Sequence, residues 1–261
     1  MLLARLRSLL SHPLVQWLDI DSPQTTELRR RIIREKPLLE SIYIDWYRRI
    51  AASLPRGDDP VLEVGSGGGF MRDFIPGLIT SDILKLPGID LVIGARRLPF
   101  PDGTLRGIAM VNVLHHLSAP RDFLREATRC VRAGGVISMI EPWVTPWSGL
   151  VYGKLHHEPF EPRAESWEFP PAGPLSGANG ANPWIIFVRD RSRFERDFPW
   201  WTIRLAQPFM PLCYLLSGGV SMRSLVPGWS SGLWRGIESL LSPLNGWLGM
   251  FAHVILERLP R

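Results

Sequence analysis

A run of glycines directly follows a short apolar segment, and an acidic residue stands just before it. The segment reads Val61-Leu62-Glu63-Val64-Gly65-Ser66-Gly67-Gly68-Gly69. A buried strand over residues 61–64 would bring the Glu63 carboxylate and bare backbone to the carboxyl edge of a sheet, where open α/β folds bind ligands. Glycines let the main chain approach a ligand closely and adopt positive φ. The pattern therefore predicts a ligand-binding turn.

The spacing of the glycines distinguishes between the nucleotide ligands that such a turn could bind. A dinucleotide-binding turn requires G-x-G-x-x-G, and counting from Gly65 the sixth position is Phe70, so that pattern fails. A Walker loop requires a Lys after its glycines, and none follows here. What remains is an acidic residue followed by alternate glycines. Asp82 stands about 20 residues beyond Glu63, where an acidic side chain can accept hydrogen bonds from a ribose diol.

Short apolar runs alternate with helical patterns around this turn, as in a parallel sheet covered by helices. The predicted strands are residues 61–64, 78–82, 91–93, 107–113, 136–140, 200–206 and 251–257. The predicted helices are a basic pair over 21–54 capped by Ser22 and interrupted at Pro37, a helix start at 70–75, and helices over 121–132 and 182–198. The last two strands flank an apolar insertion, which favours antiparallel pairing at one edge of the sheet.

The composition describes a globular chain and argues against several other classes. The 261 residues are 45% hydrophobic and 21% charged, unlike a disordered, collagen-like or membrane-spanning protein. Cys130 and Cys213 are too few for a disulfide framework or a zinc site, so no metal is predicted. The first ten residues, interrupted by Arg5 and Arg7, make a poor signal peptide. We therefore expect a cytoplasmic protein.

Two regions leave alternatives open for the partners of the chain. The arginines of residues 29–49 favour a solvated helix face, with a phosphate or nucleic-acid surface as the alternative. The apolar insertion favours a lid packed on the core, with peripheral contact at the inner face of a membrane as the alternative. The tryptophans between residues 143 and 247 suit sugars, aromatic acceptors or a membrane interface, although core packing also accounts for them.

Five motifs in order resemble the class I S-adenosylmethionine-dependent methyltransferases, in particular the quinone-type and small-molecule group. They are Glu63-x-Gly65-x-Gly67-x-Gly69, Asp82, Arg97-Leu98-Pro99-Phe100-Pro101-Asp102-Gly103, Val113-Leu114-His115-His116-Leu117 and Arg132-Ala133-Gly134-Gly135. The resemblance implies an α/β Rossmann-like fold: a mostly parallel seven-stranded sheet with an antiparallel edge strand and helices on both faces. It places an N-terminal helical extension at 1–55 and a methyltransferase domain at 56–261. That domain comprises a cofactor-binding core at 56–145 and an acceptor and lid region at 146–250, including an insertion at 208–247.

The cofactor implied by this resemblance is S-adenosyl-L-methionine. Gly65, Ser66 and Gly67 would line its methionine and ribose parts, and Glu63 would reach its amino end through water. Asp82 would hold the ribose hydroxyls. The remaining residues of the implied cofactor site are Gly69, Ile83, Ala95, Arg96, Asn112 and Val113, the last two beside the sulfonium.

The sequence departs from the family pattern at three places. Gly94-Ala95 stands where the family usually has Asp-Ala, so adenine would be read by main chain, by Arg96 or not at all. Leu105-Arg106 replaces the usual Phe-Asp, a change that we interpret as structural. The segment between Asp82 and Gly94 is too short for the usual full helix, which predicts a thinner wall for the adenine pocket.

Four histidines are candidates for the base that a hydroxyl acceptor would require. His115 and His116 follow the fourth predicted strand, close to where the sulfonium would lie. The alternative for both is a histidine at a helix start that bonds nearby backbone. His156 and His157 precede Glu158 in a segment that could fold over the pocket, either as base and substrate contact or only as a lid.

The leading hypothesis is an S-adenosylmethionine-dependent methyltransferase that acts on a small molecule or on a lipid- or glycan-linked acceptor, at oxygen. A nitrogen acceptor stays open, because it does not require a strong base. The alternative is a catalytically inactive binding or scaffold protein of the same fold, suggested by Gly94 and Arg106. A nucleic-acid substrate is disfavoured, because the sequence contains no Asn-Pro-Pro-Tyr-type motif for a flipped base.

Overall fold

The computed structural model describes residues 10–155 and 158–260, in which seven strands form one sheet in the order β3-β2-β1-β4-β5-β7-β6. The strands are β1 (Val61–Val64), β2 (Leu78–Asp82), β3 (Leu91–Val92), β4 (Leu105–Val111), β5 (Val131–Pro142), β6 (Trp201–Phe209) and β7 (Phe251–Arg258). Strands β1 to β5 pair in parallel, whereas β7 runs antiparallel to both β5 and β6. The predicted Rossmann-like methyltransferase fold is confirmed. The reversed strand β7 lies one place in from the edge strand β6.

Hydrophobic side chains cover both faces of the sheet, because successive residues of a strand point to opposite faces. Leu62 of β1 packs in one cluster, with the helix over Pro120–Cys130 and the segment around Ile185. Val61 of the same strand packs in the other cluster, with the two N-terminal helices. The parallel strands are therefore buried on both sides, and their carboxyl ends are left as the place for a ligand.

Two helices precede the sheet and follow the predicted pattern. Helix α1 (Pro23–Glu35) begins after Ser22, whose hydroxyl accepts a hydrogen bond from the Gln24 N–H at 3.2 Å. Helix α2 (Pro37–Ser53) begins at the proline that interrupts the helical pattern. The later helices are α3 (Pro120–Cys130), α4 (Pro146–Leu155), α5 (Asn182–Trp184), α6 (Arg191–Asp197), α7 (Cys213–Ser217), α8 (Ser231–Leu240) and α9 (Asn245–Leu248). No helix in the described part of the chain is long and apolar enough to cross a bilayer.

Two of the predicted helices differ from the structure. The helix start predicted at 70–75 is a single 3-10 turn over Met71–Asp73, because Pro76 and Gly77 stop the chain just before β2 begins. The helix predicted over 182–198 is interrupted by a π-helical segment, Ile185–Arg189, between α5 and α6. Strand β4 ends two residues earlier than predicted, because Asn112 adopts a φ of 56°.

Candidate functional site

A cavity of about 560 Å³ lies at the carboxyl ends of the parallel strands. Its wall contains every residue that the sequence predicted for the cofactor: Glu63, Gly65, Ser66, Gly67, Gly69, Asp82, Ile83, Ala95, Arg96, Asn112 and Val113. His115 and His116 belong to the same wall. His156 and His157, the other two predicted bases, lie outside the described residues. One cavity therefore brings the predicted cofactor residues next to two of the four histidines.

The backbone of the glycine turn is tied to the end of β2 by a hydrogen bond to the Asp82 carboxylate. The Gly67 N–H donates to Asp82 Oδ2 at 2.9 Å, and the Leu84 N–H donates to Asp82 Oδ1 at 2.9 Å. Gly67 has a φ of 51°, a region that residues with a side chain seldom adopt. Burial raises the pKa of Asp82, although these backbone N–H groups oppose that effect. The turn thus presents a carboxylate and bare main chain side by side.

Glu63 lies beneath this turn and is only 4% exposed. The Ser66 hydroxyl donates to Glu63 Oε2 at 2.8 Å. Burial raises the pKa of Glu63 to about 7, because a charged carboxylate loses solvation inside the protein. Its charge therefore changes close to neutral pH, next to the predicted cofactor pocket.

Helices α1 and α2 cover the outer side of the glycine turn. A Cβ on Gly68 would lie 2.7 Å from the Arg30 backbone nitrogen, and a Cβ on Gly69 would lie 2.5 Å from the Tyr47 hydroxyl. Neither position has room for a side chain. The Tyr47 hydroxyl accepts a hydrogen bond from the Phe70 N–H at 3.2 Å and so ties α2 to the end of the turn.

Three buried polar atoms on the cavity residues have no hydrogen-bond partner among the described residues. They are Thr26 Oγ1, Arg29 Nε and Asn112 Oδ1. Buried polar atoms are rarely left unpaired, so this wall suits a polar ligand that carries both donors and acceptors. The amino-acid end of S-adenosylmethionine, with its carboxylate and ammonium, has that chemistry, and the residues present therefore fit the implied cofactor.

Thr26 and Arg29 are cavity residues that sequence reasoning missed. Both belong to α1, where Arg29 was predicted to lie on a solvated helix face. Their spacing of three residues puts them on the same side of a helix, which the sequence does show. That this side faces the glycine turn follows only from the way α1 packs.

His115 lies between two glutamates at the other side of the cavity. Its Nδ1 is 2.7 Å from Glu141 Oε2, and its Nε2 is 3.6 Å from Glu158 Oε2. Burial by itself would lower the pKa of His115, but the two carboxylates outweigh burial and raise it to about 9. Glu141 Oε1 accepts the Val113 and Leu114 N–H groups at 2.9 and 2.7 Å. Glu141 therefore anchors the histidine turn, a role that the sequence did not indicate.

His116 has a different environment from its neighbour. Its Nδ1 is 3.1 Å from the Gly177 carbonyl oxygen. Burial, and then the charge of His115, lower the pKa of His116 to about 4. Both histidines lie on the 3-10 turn Leu114–His116, and their ring centroids are 4.1 Å apart. The backbone contact predicted as the alternative for a histidine here is present, and the same residue borders the cavity.

Comparison with known proteins agrees with this geometry. Residues 62–139 match the family model described as a methyltransferase domain, a span that includes the glycine turn, Asp82 and the histidine turn. Residues 62–139 are a methyltransferase domain. No curated protein sequence matches the chain significantly.

Two solved structures have the same fold as this chain. One is a complex between the Haloferax volcanii Trm112 methyltransferase activator and a candidate methyltransferase, with 12% identity over 90% of this chain and 95% of that chain and a TM-score of 0.51. The other is a geranyl diphosphate methyltransferase in complex with GPP and sinefungin, with 17% identity over 87% of this chain and 81% of that chain and a TM-score of 0.50. At these identities the likeness concerns the fold alone.

The part of the cavity predicted for adenine contains Gly94, one of the positions at which the sequence departs from the family pattern. No helix occurs between β2 and β3, and Ile83 at the start of this connection is 59% exposed. Arg96 is the side chain predicted as an alternative contact for adenine, and its Nη2 lies 3.1 Å from Asp122 Oδ2. No described atom lies within 4 Å of the place that a Gly94 Cβ would take. Arg106 bonds the carbonyl oxygens of Asp59 and Pro55, which is a structural contact.

The opposite side of the methyltransferase cavity is largely aromatic and apolar. Its residues come from the connection after β5 and from the insertion: Tyr152, Phe160, Tyr214, Leu215, Val220 and Met222. The Lys36 ammonium donates to the carbonyl oxygens of Ser217 and Gly219 at 3.2 and 2.7 Å, and also to that of Met222. Lys36 thereby fixes this part of the insertion against the junction of α1 and α2.

Proposed function

We propose that this chain is an active methyltransferase that transfers a methyl group from S-adenosylmethionine to an oxygen atom of a small, lipid-linked or glycan-linked acceptor. The observation that carries the proposal is the set of residues that line the single cavity described above. The glycine turn and the unpartnered polar atoms of Thr26, Arg29 and Asn112 line one part of it. An acid–base cluster of His115, His116 and Glu158 lines another. Methyl transfer requires both a cofactor and an acceptor within reach of each other.

The proposed cofactor contacts follow from the chemistry of each wall residue. S-adenosylmethionine supplies a methyl group on a positively charged sulfur. The Arg29 guanidinium is suited to the cofactor carboxylate, and Glu63 to its ammonium. Asp82 keeps acceptor capacity for the ribose hydroxyls beside its bonds to Gly67 and Leu84. Asn112 Oδ1 offers an unused acceptor near the end of β4.

We place the acceptor hydroxyl at the histidine cluster. When bound, the cofactor would supply the methyl group, and the hydroxyl that accepts it would have to lose its proton. Among the residues described, His115, His116 and Glu158 are the acid–base groups that meet here in the cavity wall. The aromatic and apolar side of the cavity suits a phenolic or prenyl-like body for the acceptor.

The insertion also supports a proposal about the surface on which the protein would encounter a lipid-linked acceptor. Its exposed side chains include Trp229, Leu233 and Trp247, which are 86%, 62% and 69% exposed. We infer that this surface rests on the headgroup region of a bilayer, as tryptophan-bearing interfacial helices do. Arg223, exposed next to the surface, would complement anionic headgroups.

The first test of the proposed function is calorimetric titration with S-adenosylhomocysteine. In Gly67→Arg the new Cβ would be in ordinary van der Waals contact, with the nearest atoms at 3.9 Å, and the long side chain would stand in the wall of the proposed cofactor pocket. We expect micromolar binding by the wild type and at least about a hundredfold loss in the variant. The matched control is Gly77→Arg, since Gly77 also has a positive φ, of 70°, but borders open space elsewhere. Equal binding by Gly67→Arg and the control would contradict the cofactor site.

Turnover distinguishes the enzyme from the alternative, an inactive binding or scaffold protein. That alternative is favoured by one observation, the adenine side without an acidic side chain where Gly94 stands. We expect release of S-adenosylhomocysteine from S-adenosylmethionine when a suitable phenol, hydroxylated prenyl lipid or glycan is supplied. Tight cofactor binding with no turnover across all three classes would favour the scaffold instead.

A further inference from the structure

The histidine cluster has the composition of a metal site. One ligand atom each from His115, His116 and Glu158 lies within 4.8 Å of the other two. His115 is 2% exposed and Glu158 is 18% exposed at the side chain, and both border the cavity. Two imidazoles and one carboxylate are a set that binds Zn²⁺ or other divalent transition metals and leaves positions open for a substrate.

The Nδ1 atoms of both rings already have the kind of partner that metal-binding histidines use. Such a histidine uses its second ring nitrogen to donate to a carboxylate or a carbonyl, which fixes the ring and makes it a better ligand. His115 Nδ1 has Glu141 at 2.7 Å, and His116 Nδ1 has the Gly177 carbonyl at 3.1 Å. Nε2 of each ring would then be the nitrogen that binds a metal.

Consecutive histidines rarely bind one metal, because neighbouring side chains diverge in helices and strands. Here the short 3-10 turn Leu114–His116 brings the rings side by side, with centroids 4.1 Å apart and planes inclined at 39°. Ligand atoms around one Zn²⁺ lie about 3 to 4 Å apart, so the cluster must contract by roughly 1 Å. His115 Nε2 and Glu158 Oε2, at 3.6 Å, already satisfy that range.

We propose that His115, His116 and Glu158 bind one divalent transition-metal ion, of which Zn²⁺ is the first candidate, with an open coordination position that faces the cavity. Binding of the ion is independent of the proposed function. Its consequence rests on that function: an acceptor hydroxyl that coordinates the ion loses its proton more readily, with the proton passing to solvent. His116 would then be a ligand rather than a base. The sequence prediction of no metal site would be wrong.

The test uses the full-length protein after dialysis against a chelator, titrated with Co²⁺ and with Zn²⁺. Visible absorption of bound Co²⁺ reports the number and kind of ligands, and calorimetry gives the affinity and stoichiometry. We expect one ion per chain, with at least about tenfold weaker binding in His116→Ala and in Glu158→Gln. Matched controls are His12→Ala and Glu165→Gln, which remove the same side-chain types away from the cluster.

The two proposals fail in distinguishable ways. Stoichiometric Co²⁺ binding that survives both cluster variants, or no binding by the wild type, would overturn the metal site, and the cluster would be a buried ion pair. Far-ultraviolet circular dichroism of the same samples shows that each variant is folded, and titration with S-adenosylhomocysteine is run beside it. Gly67→Arg should retain the metal and lose the cofactor, whereas His116→Ala should do the reverse.

Discussion

Glu63 is the residue of the proposed cofactor site whose charge changes nearest to neutral pH. Burial raises its pKa from 4.5 to about 7, so the carboxyl of the free protein is mostly protonated below that pH. A cationic amino group binds the ionised form better. We therefore expect affinity for S-adenosylhomocysteine to increase by about tenfold from pH 6 to pH 8. Calorimetry at both pH values measures this change.

The matched variant for this prediction is Glu63→Gln, which keeps the shape of the side chain and can still accept from Ser66. Its affinity should change with pH only through the titration of the ligand itself. An equally steep pH dependence in the variant would refute the role of Glu63.

Burial of Glu63 has the opposite effect on the stability of the ligand-free protein, whose free energy of unfolding falls as pH rises. Between about pH 4.5 and 7 the folded chain holds a proton that the unfolded chain has released, so stability decreases as pH rises.

At the scale of elements, helix α1 connects the N-terminal region to the cofactor site. It lies so close to the glycine turn that Gly68 has no room for a Cβ, and it aims Arg29 at the cavity. We expect Arg29→Gln to weaken S-adenosylhomocysteine binding by about 10- to 100-fold, since it removes a charge-assisted hydrogen bond to the carboxylate. Affinity for 5′-methylthioadenosine, which lacks the amino-acid part, should not change.

Arg31→Gln is the control for this prediction, because Arg31 is exposed on the same helix and pairs with Glu35 at 2.6 Å. It should bind both ligands like the wild type. A similar loss for both ligands in Arg29→Gln would mean that α1 supports the turn only by packing.

At the scale of the whole molecule, helix α8 turns Arg235 and Glu238 inward, whereas Leu233 and Leu240 are exposed. Arg235 lies 2.5 Å from Asp45, and Glu238 accepts the Leu212 and Cys213 N–H groups at 3.0 and 2.8 Å. The large apolar side chains that the insertion exposes are Leu225, Trp229, Leu233, Leu240, Leu244 and Trp247. Such a surface is typical of contact with another apolar phase or partner.

For this surface we expect co-sedimentation with vesicles that contain anionic lipid. The double variant Trp229→Ser/Trp247→Ser should lose most of the bound fraction, because two interfacial anchors are removed. Trp17→Ser is the control, since Trp17 is 82% exposed but lies outside the insertion. No sedimentation of the wild type at low salt, or retention by the double variant, would refute membrane contact.

Local patterns along the chain were enough to predict the sheet and the glycine turn. The strand before Gly65, the acidic residue at Asp82 and the helix starts at Ser22 and Pro37 each depend on residues within a few positions of one another. Burial of alternating apolar residues and the stereochemistry of glycine and proline act at that range. The sequence alone therefore predicted the strands, the glycine turn and residues that line the cavity, and its resemblance to a known family predicted the fold.

Only the tertiary structure decided what faces those residues. Thr26 meets the glycine turn because α1 packs there, and Glu141 holds His115 because β4 and β5 are neighbours in register. Glu158 comes to His115 through the connection that follows α4. Each contact joins residues far apart in the chain, and its energy depends on burial and on charges that no local pattern contains. For that reason the histidine turn was predictable as a motif, whereas its environment was not.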